Sequence, residues 1–478
     1  MVLRTLIAAL LLAVPGVLAQ GLPDLGDVAQ AGFTPLQERR LGESIMREIR
    51  ADRDYYDEAE ATDFINSLGN RLASRSTESR QEFEFFLIRD SQINAFALPG
   101  GFIGVNIGLM LAGQSESEVA GVLAHEIAHV TQRHIARMLQ QQSQNSIASI
   151  AALAAALLLS RVDSQAAQAA IAFGQAGAIQ NQLNFTRDNE READRVGLQI
   201  LDQAGFDPRG MAGFFERMQR ATRVYESGAP SYLRTHPLTF ERIADMQNRT
   251  ESMGYRQVPD SLEFQLIRAK LRAQLEAPRD AVAFFEQSLA ERKFLSEAAS
   301  RYGLVASLMR ARDYTRARAE LESLRKLVPA NPIVGTLACE FAYQAYGPEK
   351  ALPCLREALK TYPSYRALVY NNANALLQTN RPEEALRLVE ARLQVIAGDY
   401  RLYLLQARAY AALNKRLSQH RAQAEAYVRM GNLTGAMEQL RIGLKSGDGD
   451  FYQLSSAEAR LRELRKLDDE MRREAGKR

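Results

Sequence analysis

The sequence predicts an α+β protein that is mainly α, with a helical domain carrying a small β-sheet followed by an all-α solenoid. Three observations carry this reading. Apolar residues recur at helical spacing over residues 36–72, 119–130 and 196–201. Two segments, 82–88 and 95–106, read instead as strands, joined around polar residues and turned at Pro99-Gly101. From about Pro259 a repeat sets in: Ala317, Ala351 and Ala385 lie 34 residues apart, and Pro329 and Pro363 keep the same interval.

The N-terminus reads as a secretory signal peptide over residues 1–19. Arg4 gives a basic start, residues 6–14 an apolar core, Pro15-Gly16 a break, and Val17-Leu18-Ala19 a small-residue cleavage site. The apolar run is too short to span a bilayer. No cysteine follows the cut, which excludes a lipid anchor there, and the mature protein is expected to begin near Gln20 and to be soluble. At 478 residues the chain suits two domains better than one; the boundaries expected are 20–255 and 256–478. The formal net charge is +3, one unit of it from Arg4. With no basic block interleaved with aromatics, nothing points to nucleic acid as a partner.

Residues 36–72 are expected to be helical, with Leu41, Ile45, Ile49, Phe64, Ile65 and Leu68 on one buried face. The next helix carries the chemistry. Ser115 and Glu118 form a capping-box pair, and Val119, Val122, Leu123, Ile127 and Val130 keep helical spacing. Within it stands His125-Glu126-Ile127-Ala128-His129. Histidines four apart share a helix face, so His125 and His129 can grip one zinc ion from a single rigid element, and Glu126 beside them can take a proton from water. Two helical histidines are often only packed or surface groups, so the motif needs a third ligand. Glu190 and Asp194, four apart near the start of another helix, supply one: Glu190 to close the ligand set, Asp194 to hold a ligand imidazole in its metal-binding tautomer. Taken alone, those acidic residues would merely suit a helix N-terminus.

Three other histidines remain. His236, in Arg234-Thr235-His236-Pro237, has three open readings: it reaches the fourth zinc position and shuts the enzyme off, it donates to the oxyanion formed in peptide cleavage, or it is a loop or helix-capping residue beside Thr235. His134 lies half a turn out of phase with the ligand face and, with Arg133 and Arg137, is expected at the surface. His420 is remote. Residues 147–159 and 166–173 are almost wholly small or apolar, yet the longer run is short for a membrane span. A buried helical hairpin, an interfacial element and a docking surface for a membrane-protein partner compete there, which leaves peripheral membrane contact through 147–173 open.

Thirty-four residues is the tetratricopeptide period, in which small residues permit close helix packing and proline ends each second helix. Asp313-Tyr314, Gly347-Pro348 and Arg381-Pro382 fall at the turns between paired helices. After Ala385 the period slips: the next similar junction, Gly435-Ala436, comes 51 residues later, so the last helices are expected to be irregular or capping. Leu440, Leu444, Leu454 and Leu461 carry helices almost to the C-terminal end. Asn371, Asn372 and Asn374 beside Tyr370 are placed on a concave-lining first helix, where amides can clamp a main chain. Cys339 and Cys354 flank Gly347-Pro348; a structural disulfide and two small core residues are both open.

The histidine motif, the Glu190-x-x-Ala193-Asp194 segment, and Asn94-Ala95-Phe96-Ala97-Leu98-Pro99-Gly100-Gly101 followed by Phe102-Ile103-Gly104-Val105 together resemble the gluzincin metallopeptidases related to the CAAX prenyl protease and HtpX. Within that group the chain is most similar to the soluble, BepA-type periplasmic branch, which joins the peptidase to tetratricopeptide repeats. The resemblance covers nearly the whole mature chain. It implies a gluzincin-type helical peptidase domain with one Zn2+ on His125, His129 and Glu190, and Glu126 as catalytic base. Asp194 takes the place of a supporting or proton-donating aspartate; a carboxylate that orients histidine stays ionised, which favours support. The resemblance also favours the switch reading of His236, and a strand edge beside the metal that pairs with substrate backbone. It implies a periplasmic zinc endopeptidase that degrades stalled outer-membrane proteins and helps assemble competent ones, with the outer-membrane assembly machinery met through the repeats. The rival is a chaperone or adaptor whose zinc site is latent. A scaffold with a stability-only zinc fits poorly, because such sites are closed by four ligands and need no glutamate beside the first histidine.

Overall fold

The computed structural model describes residues 33–76, 81–141, 187–224 and 231–475. The expected signal peptide at 1–19 and the run at 147–173 lie outside the described residues.

The stretch expected to be helical holds two helices with a short strand between them. Helix α1 (Pro35–Ala51) opens on a capping box in which Thr34 accepts from Gln37 N–H and Gln37 accepts from Thr34 N–H. It ends where Asp52 turns to extended backbone and accepts from Asp54 N–H, which frees Tyr55 and Tyr56 to form β1 (Tyr55–Tyr56). These aromatic residues suit a strand and pair with Ile88 and Leu87. Helix α2 (Ala59–Ala73) then starts on Glu58, whose carboxylate accepts from Ala61 N–H.

Strands β2 (Glu84–Ile88), β3 (Ala95–Leu98) and β4 (Phe102–Asn106) complete a four-stranded sheet in the order β1-β2-β4-β3. β2 runs parallel to β4, and β3 returns antiparallel to β4 through the Pro99–Gly101 turn. Gly100 and Gly101 have φ of +79° and +88°, and a Cβ on Gly101 would stand 2.1 Å from the Glu82 carbonyl, so glycine is required there. Alternation sends Phe85, Leu87, Ile103 and Val105 into the main core and Phe86, Ile88 and Phe102 against Leu41, Ile45 and Ile49 of α1. The sheet is thus covered on both faces, and β3 is an edge.

Helix α3 (Ile107–Ala112) leads into α4 (Glu116–Thr131), the helix of the paired histidines, which is buried almost throughout. Ser115 caps it as expected, accepting from Glu118 N–H, but the Glu118 carboxylate reaches back to Gln114 N–H instead of Ser115. Helices α5 (His134–Gln141), α6 (Arg187–Gln203), α7 (Arg209–Val224), α8 (Ser231–Thr235) and α9 (Phe240–Ser252) surround it.

The repeat region consists of six helical hairpins: α10 (Leu262–Leu275) with α11 (Pro278–Ala290), α12 (Glu297–Arg310) with α13 (Tyr314–Leu327), α14 (Pro332–Tyr346) with α15 (Pro348–Thr361), α16 (Arg366–Gln378) with α17 (Pro382–Leu393), α18 (Tyr400–Ala412) with α19 (Arg416–Arg429), and α20 (Leu433–Leu444) with α21 (Phe451–Ala475). Ala317, Ala351 and Ala385 are all fully buried where second helices pack. The expected slip after Ala385 does not occur in the backbone. Second helices start at Tyr314, Pro348, Pro382 and Arg416, all 34 residues apart. The alanine marker is what lapses, because Gln419 takes its position in α19.

Cys339 on α14 and Cys354 on α15 are disulfide-bonded, with Cα atoms 5.5 Å apart. Cross-links of this kind act largely by restricting the unfolded chain, and a loop of 15 residues corresponds to roughly 3 kcal/mol. Replacing both cysteines by serine is therefore expected to lower the urea midpoint followed by circular dichroism; an unchanged midpoint would count against that contribution.

The repeats dock on the peptidase part through α10. Its Phe264, Leu266, Ile267 and Leu271 belong to the same core cluster as Val119, Val122 and Leu123 of α4. Lys270 is buried between the carboxylates of Glu58 at 2.7 Å and Glu60 at 2.6 Å. Further along, Arg366 pairs with Asp63, and Arg401 and Tyr400 meet Asp57.

Candidate metal centre

Two helices build the site. Helix α4 carries His125 and His129 one turn apart, and their Nε2 atoms approach to 2.9 Å. Helix α6 crosses it closely because Gly197 has no side chain: a Cβ there would press to 3.1 Å from the His125 nitrogen. That approach delivers Glu190, whose Oε2 lies 3.5 Å from His125 Nε2 and whose Oε1 lies 3.4 Å from His129 Nε2. One turn further along, Asp194 Oδ1 stands 3.0 Å from His125 Nδ1. His125 is therefore gripped from behind at Nδ1 while Nε2 faces the cluster, the orientation a metal ligand needs.

His236 follows α8 directly. Its Nδ1 lies 3.0 Å from Glu190 Oε1 and its Nε2 3.5 Å from Glu126 Oε1. The helix-start reading fails: α9 is capped by Thr239, whereas His236 follows the last turn of α8, its N–H donating to the Tyr232 carbonyl, and is buried. Ligand atoms of His125, His129, Glu190 and His236 all lie within 4.8 Å of one another. Glu126 points into the same space, completely buried, and neither of its carboxylate oxygens has a hydrogen-bond partner.

The electrostatics suit a cation. Burial alone would raise Glu190, but the three imidazoles around it, His236 foremost, hold it well below the usual carboxylate range. Burial pushes His125 down, and Asp194 and Glu190 more than offset this, lifting it to about 9. Burial carries His129 the other way, well below its ordinary value. Two carboxylates, Glu190 and Asp194, share the Arg242 guanidinium, and the Glu126 carboxylate is buried near His236. Two imidazoles with a carboxylate form a donor set that zinc commonly takes.

Arg242 was not foreseeable from motif spacing. It clasps Asp194 with Nε at 2.7 Å and Nη2 at 2.8 Å, reaches Glu190 Oε2 with Nη1 at 2.7 Å, and donates to the Pro237 carbonyl at 2.8 Å. One side chain thus ties α6 to the His236 loop. Burial opposes its charge, but Asp194 and Glu190 hold it above its ordinary value. The available signal was a lone cation in phase with Ile243 and Met246 on the buried face of α9. Tyr232 was missed as well: it is fully buried and stacks on His236 with ring centroids 4.6 Å apart.

The surface placement of His134 is wrong. Arg133 takes a left-handed φ of +52°, held by Glu38 and the Phe33 carbonyl, and ends the regular phase of α4. The chain restarts as α5, so helical phase counted from His125 no longer applies. His134 is completely buried, with Nδ1 2.8 Å from His129 Nδ1. Burial pushes it down to about 4, though Glu192 opposes the shift. His420 is remote from the site, meeting Gln439 in the last hairpins.

In the solenoid, Asn371 and Asn374 line a cavity of about 310 Å³ with Glu340, Tyr343, Gln344 and Gln378. Asn372 is buried instead, with its side-chain oxygen unpartnered. Among the described residues no helix is long and apolar enough to cross a membrane.

The sequence matches the model of peptidase family M48 over residues 60–250. It is 34% identical over 454 residues to the beta-barrel assembly-enhancing protease of Escherichia coli (strain K12), covering 94% of this chain and 92% of that one. The protein of the same name from Yersinia pestis is 32% identical over 487 residues, 98% of this chain and 99% of its own. Mitochondrial metalloendopeptidase OMA1 of Schizosaccharomyces pombe is 32% identical over 213 residues, 44% of this chain and 60% of its own.

Proposed function

Since the chain belongs to peptidase family M48 and shares the full length of the beta-barrel assembly-enhancing proteases, we propose that it is a zinc endopeptidase of outer-membrane protein quality control in the periplasm. On this reading it degrades misassembled outer-membrane proteins and assists the assembly of competent ones. Residues 20–255 form the peptidase and 256–478 the repeat domain. The observation that carries the reading is the convergence of His125, His129, Glu190 and His236 beside an unpartnered Glu126 carboxylate.

His125, His129 and Glu190 are the ligands in this proposal, and Asp194 orients His125 from behind. Zinc in that position supplies Lewis acidity, acidifying the attacking water and polarising the scissile carbonyl. Glu126 takes the water's proton and hands it to the leaving amine, a transfer that its lack of competing hydrogen bonds leaves it free to make. The substrate backbone pairs with β3. Asn106 N–H donates to the Asn94 carbonyl, so alternation turns the N–H and C=O groups of Ala95 and Ala97 outward on the sheet edge. Such pairing reads main chain, which suits a protease of unfolded proteins. The amide-lined cavity between α14 and α16 supports binding of client chains or assembly partners by the repeats. The disulfide supports an oxidising compartment.

His236 closes the ligand cluster and acts as a latency switch. The same position favours a second reading, in which the repeats do most of the work as a chaperone or adaptor and the zinc site stays shut. His236→Ala separates the possibilities in casein cleavage by purified protein. Losing a competing contact of about 1.4 kcal/mol is expected to raise the rate roughly 10-fold. Loss of activity with zinc retained would instead make His236 a participant in the chemistry. Zinc-loaded protein with no cleavage in any variant would favour the adaptor.

A further inference from the structure

We infer that His134 is a positioning residue for His129, fixing the tautomer in which His129 turns its Nε2 lone pair toward the metal cluster. This rests on the metallopeptidase reading above and adds a residue to it. The two ligand histidines have different surroundings. His125 is backed by a buried carboxylate, Asp194. Behind His129, its Nδ1 meets the Nδ1 of His134 at 2.8 Å.

One proton sits between those two nitrogens, and the far side of His134 decides which of them holds it. His134 Nε2 lies 3.1 Å from Glu192 Oε2, an acceptor only, so Nε2 carries the hydrogen and donates. A neutral His134 then has its lone pair on Nδ1 and must accept there. His129 consequently carries its hydrogen on Nδ1 and presents an unprotonated Nε2 to Glu190 and His125. Arg137 holds the same Glu192 oxygen at 3.0 Å, which fixes the outer end of the chain. Helix α6 therefore serves the centre in three ways: Glu190 faces it, Asp194 backs His125, and Glu192 backs His129 through His134. The left-handed turn at Arg133 is what swings His134 beneath His129.

The test compares His134→Leu with His134→Gln in the full-length mature protein. Glutamine can still accept from His129 and donate to Glu192; leucine fills the space but does neither. Zinc affinity is read by chelator competition, the His129 tautomer by imidazole 15N–1H spectra, and packing by the melting temperature of the chelated protein. Leucine is expected to weaken zinc binding roughly 10- to 100-fold, the usual effect of removing such a support, and to let the His129 Nδ1–H signal lapse. Glutamine is expected to restore most of both. Wild-type affinity in the leucine variant would overturn the inference. So would equal losses in both variants that follow a lowered melting temperature, since that is packing alone. Wild-type protein that takes up no zinc would overturn the metallopeptidase reading itself, which the other outcomes leave standing.

Discussion

Replacing Glu126 by glutamine is expected to slow peptide cleavage roughly 10²- to 10⁴-fold, the usual contribution of a positioned general base, with zinc content and substrate KM little changed. The geometry makes the comparison clean. Glu126 is completely buried and neither carboxylate oxygen is hydrogen-bonded, so the isosteric amide breaks no structural bond. The chelated variant is therefore expected to melt no lower than wild type. Casein cleavage, zinc content and calorimetry on one preparation decide the matter. Activity within a few-fold of wild type would remove Glu126 from the proton transfer and end the proposed mechanism. Activity lost together with zinc would show Glu126 to be a ligand instead.

Arg242→Met is expected to cost roughly 3–5 kcal/mol of stability, the range for removing one partner of a buried ion pair. Methionine can fill the stem's space, but it leaves Asp194 without its bidentate donor and Pro237 without its own. Without metal, Glu190 and Asp194 would then have lost their buried guanidinium with no ion to replace it, so the loss is expected to be larger in chelated protein than in zinc-loaded protein. Added zinc should recover part of it by binding only the folded state. Combining Arg242→Met with Asp194→Leu should cost less than Arg242→Met alone, because no unpaired carboxylate then remains behind His125. Urea unfolding with and without chelator reads all of these. Equal losses in both conditions would mean that Arg242 matters for packing and not for the charge of the centre.

The residues that were legible from sequence are those whose partners lie on the same helix or on a recurring pattern. His125 and His129 follow from one turn of α4, and Glu190 with Asp194 from one turn of α6. The second to fourth hairpins of the solenoid follow from alanines at a fixed interval. Arg242, Tyr232 and His134 escaped because their meaning comes from other segments. Arg242 acquires its role only when α9 lies against α6. His134 is not reached by helical phase because a single left-handed residue, Arg133, resets the count that starts at His125. The break at Asp52 rests on an Asx contact and on a strand partner more than thirty residues away, Ile88. In the last hairpins the geometry persists while its sequence marker does not, since Gln419 does without the small residue that Ala385 supplies.

Because Phe264, Leu266 and Ile267 of the first repeat helix sit in the core that surrounds α4, and Lys270 is locked between Glu58 and Glu60, the two halves of this enzyme share no flexible tether. On the proposed reading, a client held by the repeats cannot be swung toward the cleft; the distance from grip to edge is set by the framework. Any slack must come from the client. A folded chain caught at the cavity has none to give, whereas an unfolded one can pay out a strand long enough to lie along Ala95 and Ala97. The rigidity of the joint would in this way select for disorder in what is cut, without a single side chain having to recognise it.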